Sequence, residues 1–282
     1  MSDANVLIIW GMHRSGTSLL ASWLAACGLD VGQELLGSGV GNERGHHEDI
    51  DFLQLHENIL KDNRIRCGGL LRTEPLLVSA QRLAEMRDLV GTKAARGTQW
   101  GWKEPRTCLF HREYQTLLPD ANHLLVFRDY RLVVDSLVRR RMKKREQRIG
   151  KKRGLKKLYY RSKASLWRLL SMPRAAERYL RAWVRYNENL LELAANAADG
   201  KLFVLDCSDF VAVSPMVRAW LCGAGFSISP EPAEAHVDRS MIAIAPRHEY
   251  RFSADLQKRA DSILANMRDL AERSRQMAAK GA

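Results

Sequence analysis

The chain has no run of 18 or more apolar residues, so no segment is long enough to span a bilayer as a helix. Its start also lacks the basic stretch, long apolar core and small-residue cleavage site of a secretory signal. Met1–Asn5 is short and polar and leads directly into Val6–Trp10. Cysteine is scarce: Cys27, Cys67, Cys108, Cys207 and Cys222 are odd in number and lack C-x-x-C spacing. That argues against a disulfide framework and a zinc site, and for reduced thiols in a cytoplasmic protein. No H-E-x-x-H motif or carboxylate cluster is present, so no metal is expected. Internal repeats are absent too.

Acidic residues are missing from one region in particular. Between Arg139 and Arg181 stand 18 Lys or Arg against Glu146 and Glu177, a net of +16 in a chain whose whole charge is +13. Such a block favours a polyanionic partner: an anionic membrane surface, an acidic glycan or nucleic acid. In Leu155–Leu170, leucines, Tyr159 and Trp167 alternate with Lys156, Lys157, Arg161, Lys163 and Arg168. This pattern suits either a solvated helical lid or an amphipathic helix lying in a membrane interface. A peripheral contact with the inner membrane surface through residues 139–181 is therefore one expectation. No recognised module supports nucleic-acid binding.

Hydrophobic residues make up 46% of the 282, enough for a sizeable core. Four short segments have the pattern of buried parallel strands: Val6–Trp10, Gln99–Lys103, His123–Arg128 and Leu202–Asp206. Helical spacing appears in Ser18–Cys27, Ile50–Leu60, Leu76–Val90, Leu132–Arg140, Ala175–Ala198, Ser214–Cys222 and Leu256–Met277. The alternation predicts an α/β fold: a single P-loop-like domain over 1–282, its central parallel sheet flanked by helices on both faces. A basic helical insertion is expected at about 139–181. Residues 37–47 are rich in glycine and charge and predict a loop. Met142–Lys157, poor in apolar residues, predicts a mobile surface segment.

The sharpest local signal is Gly11-Met12-His13-Arg14-Ser15-Gly16-Thr17-Ser18, between the first strand and the first helix. Small residues let backbone N–H groups converge on an anion, and the helix N-terminus adds its dipole. The frame follows G-x-x-x-x-G-K-[ST], but Thr17 stands where lysine would reach the β- and γ-phosphates of a nucleoside triphosphate. The positive charge lies inside the loop instead, on Arg14. A second stretch, Phe127 to Ser136, runs from a strand end into a helix and carries Arg128 and Ser136 eight residues apart, a pair suited to a phosphate monoester. Between the two lies Trp102-Lys103-Glu104-Pro105-Arg106.

The loop resembles the 5′-phosphosulfate loop of the sulfotransferase superfamily, in the R-S-G-T form of its bacterial and Golgi-type branches. The second stretch resembles that superfamily's 3′-phosphate motif, and Lys103-Glu104-Pro105 its K-[DE]-P segment. The resemblance implies that Arg14, Ser15, Gly16, Thr17, Ser18, Arg128 and Ser136 hold 3′-phosphoadenosine 5′-phosphosulfate. It implies that Lys103 stabilises charge on the departing nucleotide, and that the acceptor is a hydroxyl or amine of a glycan, glycolipid or small metabolite. No metal is needed for that reaction.

Asn42-Glu43-Arg44-Gly45-His46-His47-Glu48-Asp49 is similar to a segment of the bacterial enzymes, with His46 where an aromatic is more usual. Glu48 is the first candidate for the base, followed by His47 and Glu34; Glu48 could instead cap the helix that starts near Ile50. Lys103 could pair with Glu104 or another carboxylate, and Arg128 with Asp129 or Asp135 on the surface. Lys201–Asp206 followed by Asp209-Phe210 resembles the family's final strand and acidic turn. Its R-K-G clamp is absent, leaving Arg239 or Arg247 for the adenosine. Two other classes remain open: a kinase-like P-loop phosphotransferase, and a non-catalytic polyanion or membrane binder on the same fold.

Overall fold

A computed structural model describes residues 4–37, 45–65, 68–70, 76–162, 164–237 and 245–280. Four strands form its sheet: β1 (Asn5–Trp10), β2 (Gln99–Lys103), β3 (Asn122–Phe127) and β4 (Leu202–Asp206), in the order β2-β1-β3-β4. Every pairing is parallel, with Ile9 opposite Lys103, Trp10 opposite Leu125 and Phe127 opposite Asp206. Parallel strands need crossovers, and helices supply them on both faces. The predicted α/β fold, a parallel sheet flanked by helices, is therefore the one observed.

Alternation along β1 divides the core in two. Ile8 and Trp10 point to one side and join Phe52, Trp102, Tyr114 and Trp183, all fully buried. Leu7 and Ile9 point to the other and join Leu20, Trp23, Leu24, Phe203 and Phe210. The Phe52 and Trp102 rings stack at 4.3 Å, which pins α2 (Ile50–Asp62) against the end of β2. Burying side chains of this size contributes roughly 1.5–3 kcal/mol each.

Helix α1 (Thr17–Ala26) follows β1 directly, and α3 (Ala80–Ala94) leads into β2. A 3₁₀ turn (Pro105–Phe110) and the short α4 (His111–Leu117) join β2 to β3, an element the periodicity did not announce. Beyond β3 come α5 (Tyr130–Gly150), α6 (Gly154–Ser162) and α7 (Ala164–Asn196); α8 (Phe210–Gly223) and α9 (Ala254–Lys280) complete the domain. No helix among the described residues is long and apolar enough to cross a membrane.

The helix predicted over Leu132–Arg140 extends to Gly150 and enters the Met142–Lys157 segment. Apart from the break at Lys151–Arg153, this stretch is helical, the end of α5 and the start of α6. Arg and Lys are good helix formers. Leu137 and Val138 are buried, and Met142 packs against the core, so α5 is anchored at its first half and continues by propensity. Helix α7 also begins 11 residues before the predicted Ala175. Of the cysteines, Cys27, Cys108, Cys207 and Cys222 are free thiols; Cys67 lies outside the described residues, as do Asn42, Glu43, Arg44 and Arg239.

Candidate active site

Because all four strands run the same way, the ends of β1, β2 and β3 open on one edge of the sheet. The three charged motifs follow those ends. The loop after β1 turns through residues with left-handed backbone, Arg14 at φ 73° and Gly16 at φ 92°. A Cβ on Gly16 would stand 2.3 Å from Cys207 Sγ, and one on Gly11 2.5 Å from the Val126 carbonyl oxygen. Glycine at both positions lets the loop lie against β3 and the turn after β4, and Gly16 also relieves the steric penalty of its φ.

Arg14 Nε donates to Ser136 Oγ at 2.9 Å, tying the loop to α5. Burial lowers the Arg14 guanidinium to about 10, and Arg140, Arg128 and Arg139 add to the effect through their like charge. Four arginines thus converge where the sequence predicts phosphates. Two carboxylates stand nearby: Asp129 pairs with Arg131 and Arg268, and Asp135 with His248 and with Arg139, one of those four arginines. Arg247 contributes its backbone N–H to Asp135 Oδ2 at 3.2 Å.

Lys103 is fully buried at the end of β2. Its Nζ donates to the His46 carbonyl oxygen, to Ser18 Oγ at 3.3 Å and to Glu48 Oε1 at 3.4 Å. Ser18 Oγ in turn donates to the His46 carbonyl at 2.8 Å. Loop, strand end and the Gly45–Glu48 segment therefore meet around one ammonium group. Of the carboxylates that could pair with Lys103, Glu48 does so and Glu104 does not. That carboxylate is fully buried between Arg106 and His56, whose Nδ1 is 2.6 Å from Glu104 Oε2 while its Nε2 meets the Tyr114 hydroxyl at 2.8 Å. Although burial raises it, Arg106 and then His56 hold the Glu104 carboxyl down at about 2.

Glu48 is not the helix cap. Asp49 is: its side chain accepts from Asp51 N–H at 3.0 Å and Phe52 N–H at 3.4 Å. The adjacent chain is fixed by pairing, Leu36 N–H to the Glu48 carbonyl at 2.8 Å and Ile50 N–H to the Glu34 carbonyl at 3.0 Å. This leaves the Glu48 carboxyl, 5% exposed, facing Lys103, with His46 Nδ1 3.7 Å away. Burial raises the Glu48 carboxyl and lowers the Lys103 ammonium, each opposed by the other's charge. The other candidate bases sit differently. His47 has φ 48° and folds its ring back toward Gly45, and the Glu34 side chain is exposed.

Several site residues escaped sequence reasoning. His13, inside the loop, lies against Tyr186 at 6.3 Å between ring centroids, and burial followed by Arg106 lowers its imidazole to about 3. His46 is lowered to about 4 by burial and then Arg140. Arg140 stands one helical turn after Ser136, a four-residue spacing that could have been read from the sequence.

The buried atoms His13 Nε2, Ser15 Oγ and Arg140 Nε have no hydrogen-bond partner among the described residues. Buried polar atoms are rarely left so. With the arginines, they fit an anionic ligand of the phosphate or sulfate kind on the loop. Among the described residues no group of three or more His, Cys, Asp or Glu is placed to hold a metal ion.

No protein-family model matches the chain, and no curated protein does. Among solved structures, it is similar to the sulfotransferase domain of the Synechococcus PCC 7002 olefin synthase, at 16% identity and a TM-score of 0.51, over 94% of this chain and 95% of that one. It also matches sulfotransferase STF9 from Mycobacterium avium at 15% identity and a TM-score of 0.49, over 95% of this chain and 77% of that one. A third match is the sulfotransferase domain of the curacin biosynthetic pathway, at 15% identity and a TM-score of 0.48, over 93% and 98% of the two chains. At such identity the first of these shows a shared fold; chemistry has to be argued from the site.

Proposed function

We propose that this protein is a sulfotransferase that moves a sulfuryl group from 3′-phosphoadenosine 5′-phosphosulfate to an acceptor hydroxyl or amine. The observation that carries the reading is the convergence of Lys103, Glu48 and Ser18 beside a loop tied by Arg14 to Ser136. Arg14, Ser15, Gly16, Thr17 and Ser18 would hold the 5′ end of the donor, Arg128 and Ser136 its 3′-phosphate. A fold shared with a sulfotransferase domain agrees with this, as does the resemblance of three motifs in the order of that superfamily.

Glu48, its carboxyl raised by burial, takes the proton of the acceptor hydroxyl. The acceptor oxygen bonds to sulfur as the bond between sulfur and the phosphate oxygen breaks. Lys103 and Arg14 face the charge left on that oxygen, and fixed cations in a water-poor site need no reorganisation. The proton remains on Glu48 until product leaves.

Calorimetric titration with 3′-phosphoadenosine 5′-phosphate, beside ATP-Mg²⁺ and AMP, tests the reading. Micromolar binding of the bisphosphate, weaker for AMP and lost in Arg128→Ala, is the expected result. Absence of binding, or preference for ATP-Mg²⁺, would overturn it in favour of a kinase-like enzyme or a non-catalytic binder.

A further inference from the structure

A groove of about 530 Å³ runs along α5 away from the loop, within the range of roughly 300–1,000 Å³ typical of small-molecule sites. Arg140, Arg141, Lys144, Arg145, Arg148 and Lys152 line it. Arg140, Lys144 and Arg148 stand four residues apart with Arg141 and Arg145 beside them, a row of cations on one face of α5 about 12 Å long, and Lys152 follows in the turn after the helix. Among the described residues none that lines it is acidic, and Tyr160, Tyr179 and three aliphatic side chains make up the rest of the wall. The Lys152 ammonium lies 5.0 Å from the centroid of the Tyr160 ring.

The row begins at the reaction centre. Arg140 follows Ser136, which Arg14 hydrogen-bonds, by one turn of α5. Its charge is felt at Arg14, at His13 and at His46, the residue whose carbonyl Lys103 holds. Burial, Arg140 and Arg148 lower the Lys144 ammonium, so the cations repel one another. An anion laid along the row relieves that repulsion.

We infer that this groove is the acceptor site and takes an acidic oligosaccharide, a chain of sugars bearing carboxylate or sulfate groups whose end hydroxyl reaches Glu48. The inference rests on the sulfotransferase reading. Charge complementarity selects a linear polyanion, and the reaction requires that it carry hydroxyl groups. A bare polyphosphate has no hydroxyl on carbon to receive the group, and a flat membrane surface meets a concave groove poorly.

The test is titration of the nucleotide-bound full chain with hexagalacturonate, beside neutral maltohexaose and vesicles of phosphatidylglycerol. Hexagalacturonate should bind and maltohexaose should not. The charge reversals Arg148→Glu and Lys152→Glu together should weaken binding by roughly tenfold or more, with affinity for 3′-phosphoadenosine 5′-phosphate unchanged. The milder pair Arg148→Gln and Lys152→Gln, with an unchanged melting temperature, should show the same direction. Equal binding of the two oligosaccharides, variants that bind as wild type, or binding to vesicles alone would overturn the groove assignment. Failure of the bisphosphate to bind wild type would instead overturn the sulfotransferase reading, and titration without nucleotide would still read the groove.

Discussion

Arg14 Nε donates to Ser136 Oγ across 2.9 Å, joining the loop after β1 to the helix after β3 over 122 residues of chain. The serine therefore serves both ends of the proposed donor. A hydrogen bond to a charged group is worth about 1.5–3 kcal/mol, so Ser136→Ala should weaken binding of 3′-phosphoadenosine 5′-phosphate by roughly tenfold or more. AMP, which lacks the 3′-phosphate, should lose less. Calorimetry on both nucleotides decides: an equal loss would mean that Ser136 acts only by orienting Arg14.

Removing the proposed base should separate binding from chemistry. Glu48→Gln keeps the size and the hydrogen-bonding oxygen, so bisphosphate affinity should hold within about twofold. Turnover should fall by about 10²–10⁴, the usual worth of general base catalysis. Burial places the Glu48 carboxyl above the ordinary carboxylate value. Wild-type rate should therefore climb with pH through that raised value as the carboxylate forms, and the variant should lack this limb. Full activity in Glu48→Gln would pass the role to His47 or Glu34.

What could be read from sequence was what is local. The four strands and the loop depend on short apolar runs and on glycine spacing, and each lies where those patterns placed it. The second half of α5 was misjudged because apolar periodicity marks helices that bury a face, and here the corresponding face is a row of cations along a groove. The capping of α2 shows a different limit. Glu48 and Asp49 are adjacent carboxylates, and only backbone geometry decides that Asp49 caps while Glu48 turns toward Lys103. His13 and Arg140 matter through partners remote in sequence, Arg106 and Glu104 for one, Arg14 and His46 for the other. Spacing puts Arg140 one turn after Ser136, but no spacing rule reports these remote partners.

The two depressed histidines make a prediction about acid stability. An unfolded histidine titrates near 6.5, whereas His13 and His46 are lowered in the fold to about 3 and about 4. Between those values the unfolded chain binds protons that the folded chain refuses. Their contribution is therefore intact above pH 6.5 and is lost as pH falls toward 4. Melting temperatures from pH 7.5 to 4.5 should decline in the wild type and decline less steeply in His13→Gln and in His46→Gln. Parallel curves for all three proteins would contradict the burial argument.

Asp49 carries two structural duties, and conservative variants can separate them. Its Oδ1 caps α2, and its Oδ2 stands 2.7 Å from Lys93 Nζ, a buried ammonium that Asp51 also reaches at 2.7 Å. Asparagine is as good a cap as aspartate, so Asp49→Asn should lose chiefly the charge pairing. Asp49→Ala loses the cap as well, a further loss of about 0.5–2 kcal/mol. Asp51, half exposed, keeps part of the compensation for Lys93, which holds the total below the roughly 3–5 kcal/mol of a wholly broken buried pair. The start of α2 also sets where the preceding residue, Glu48, can reach. Asp49→Ala should therefore reduce turnover while leaving bisphosphate affinity alone, since none of the proposed donor-binding residues lies on that turn. Denaturant unfolding beside single-turnover rates checks both halves. Equal stability of the two variants would deny the cap its role, and unchanged turnover in Asp49→Ala would show that the pairing of Glu48 with Leu36 is enough to place the base.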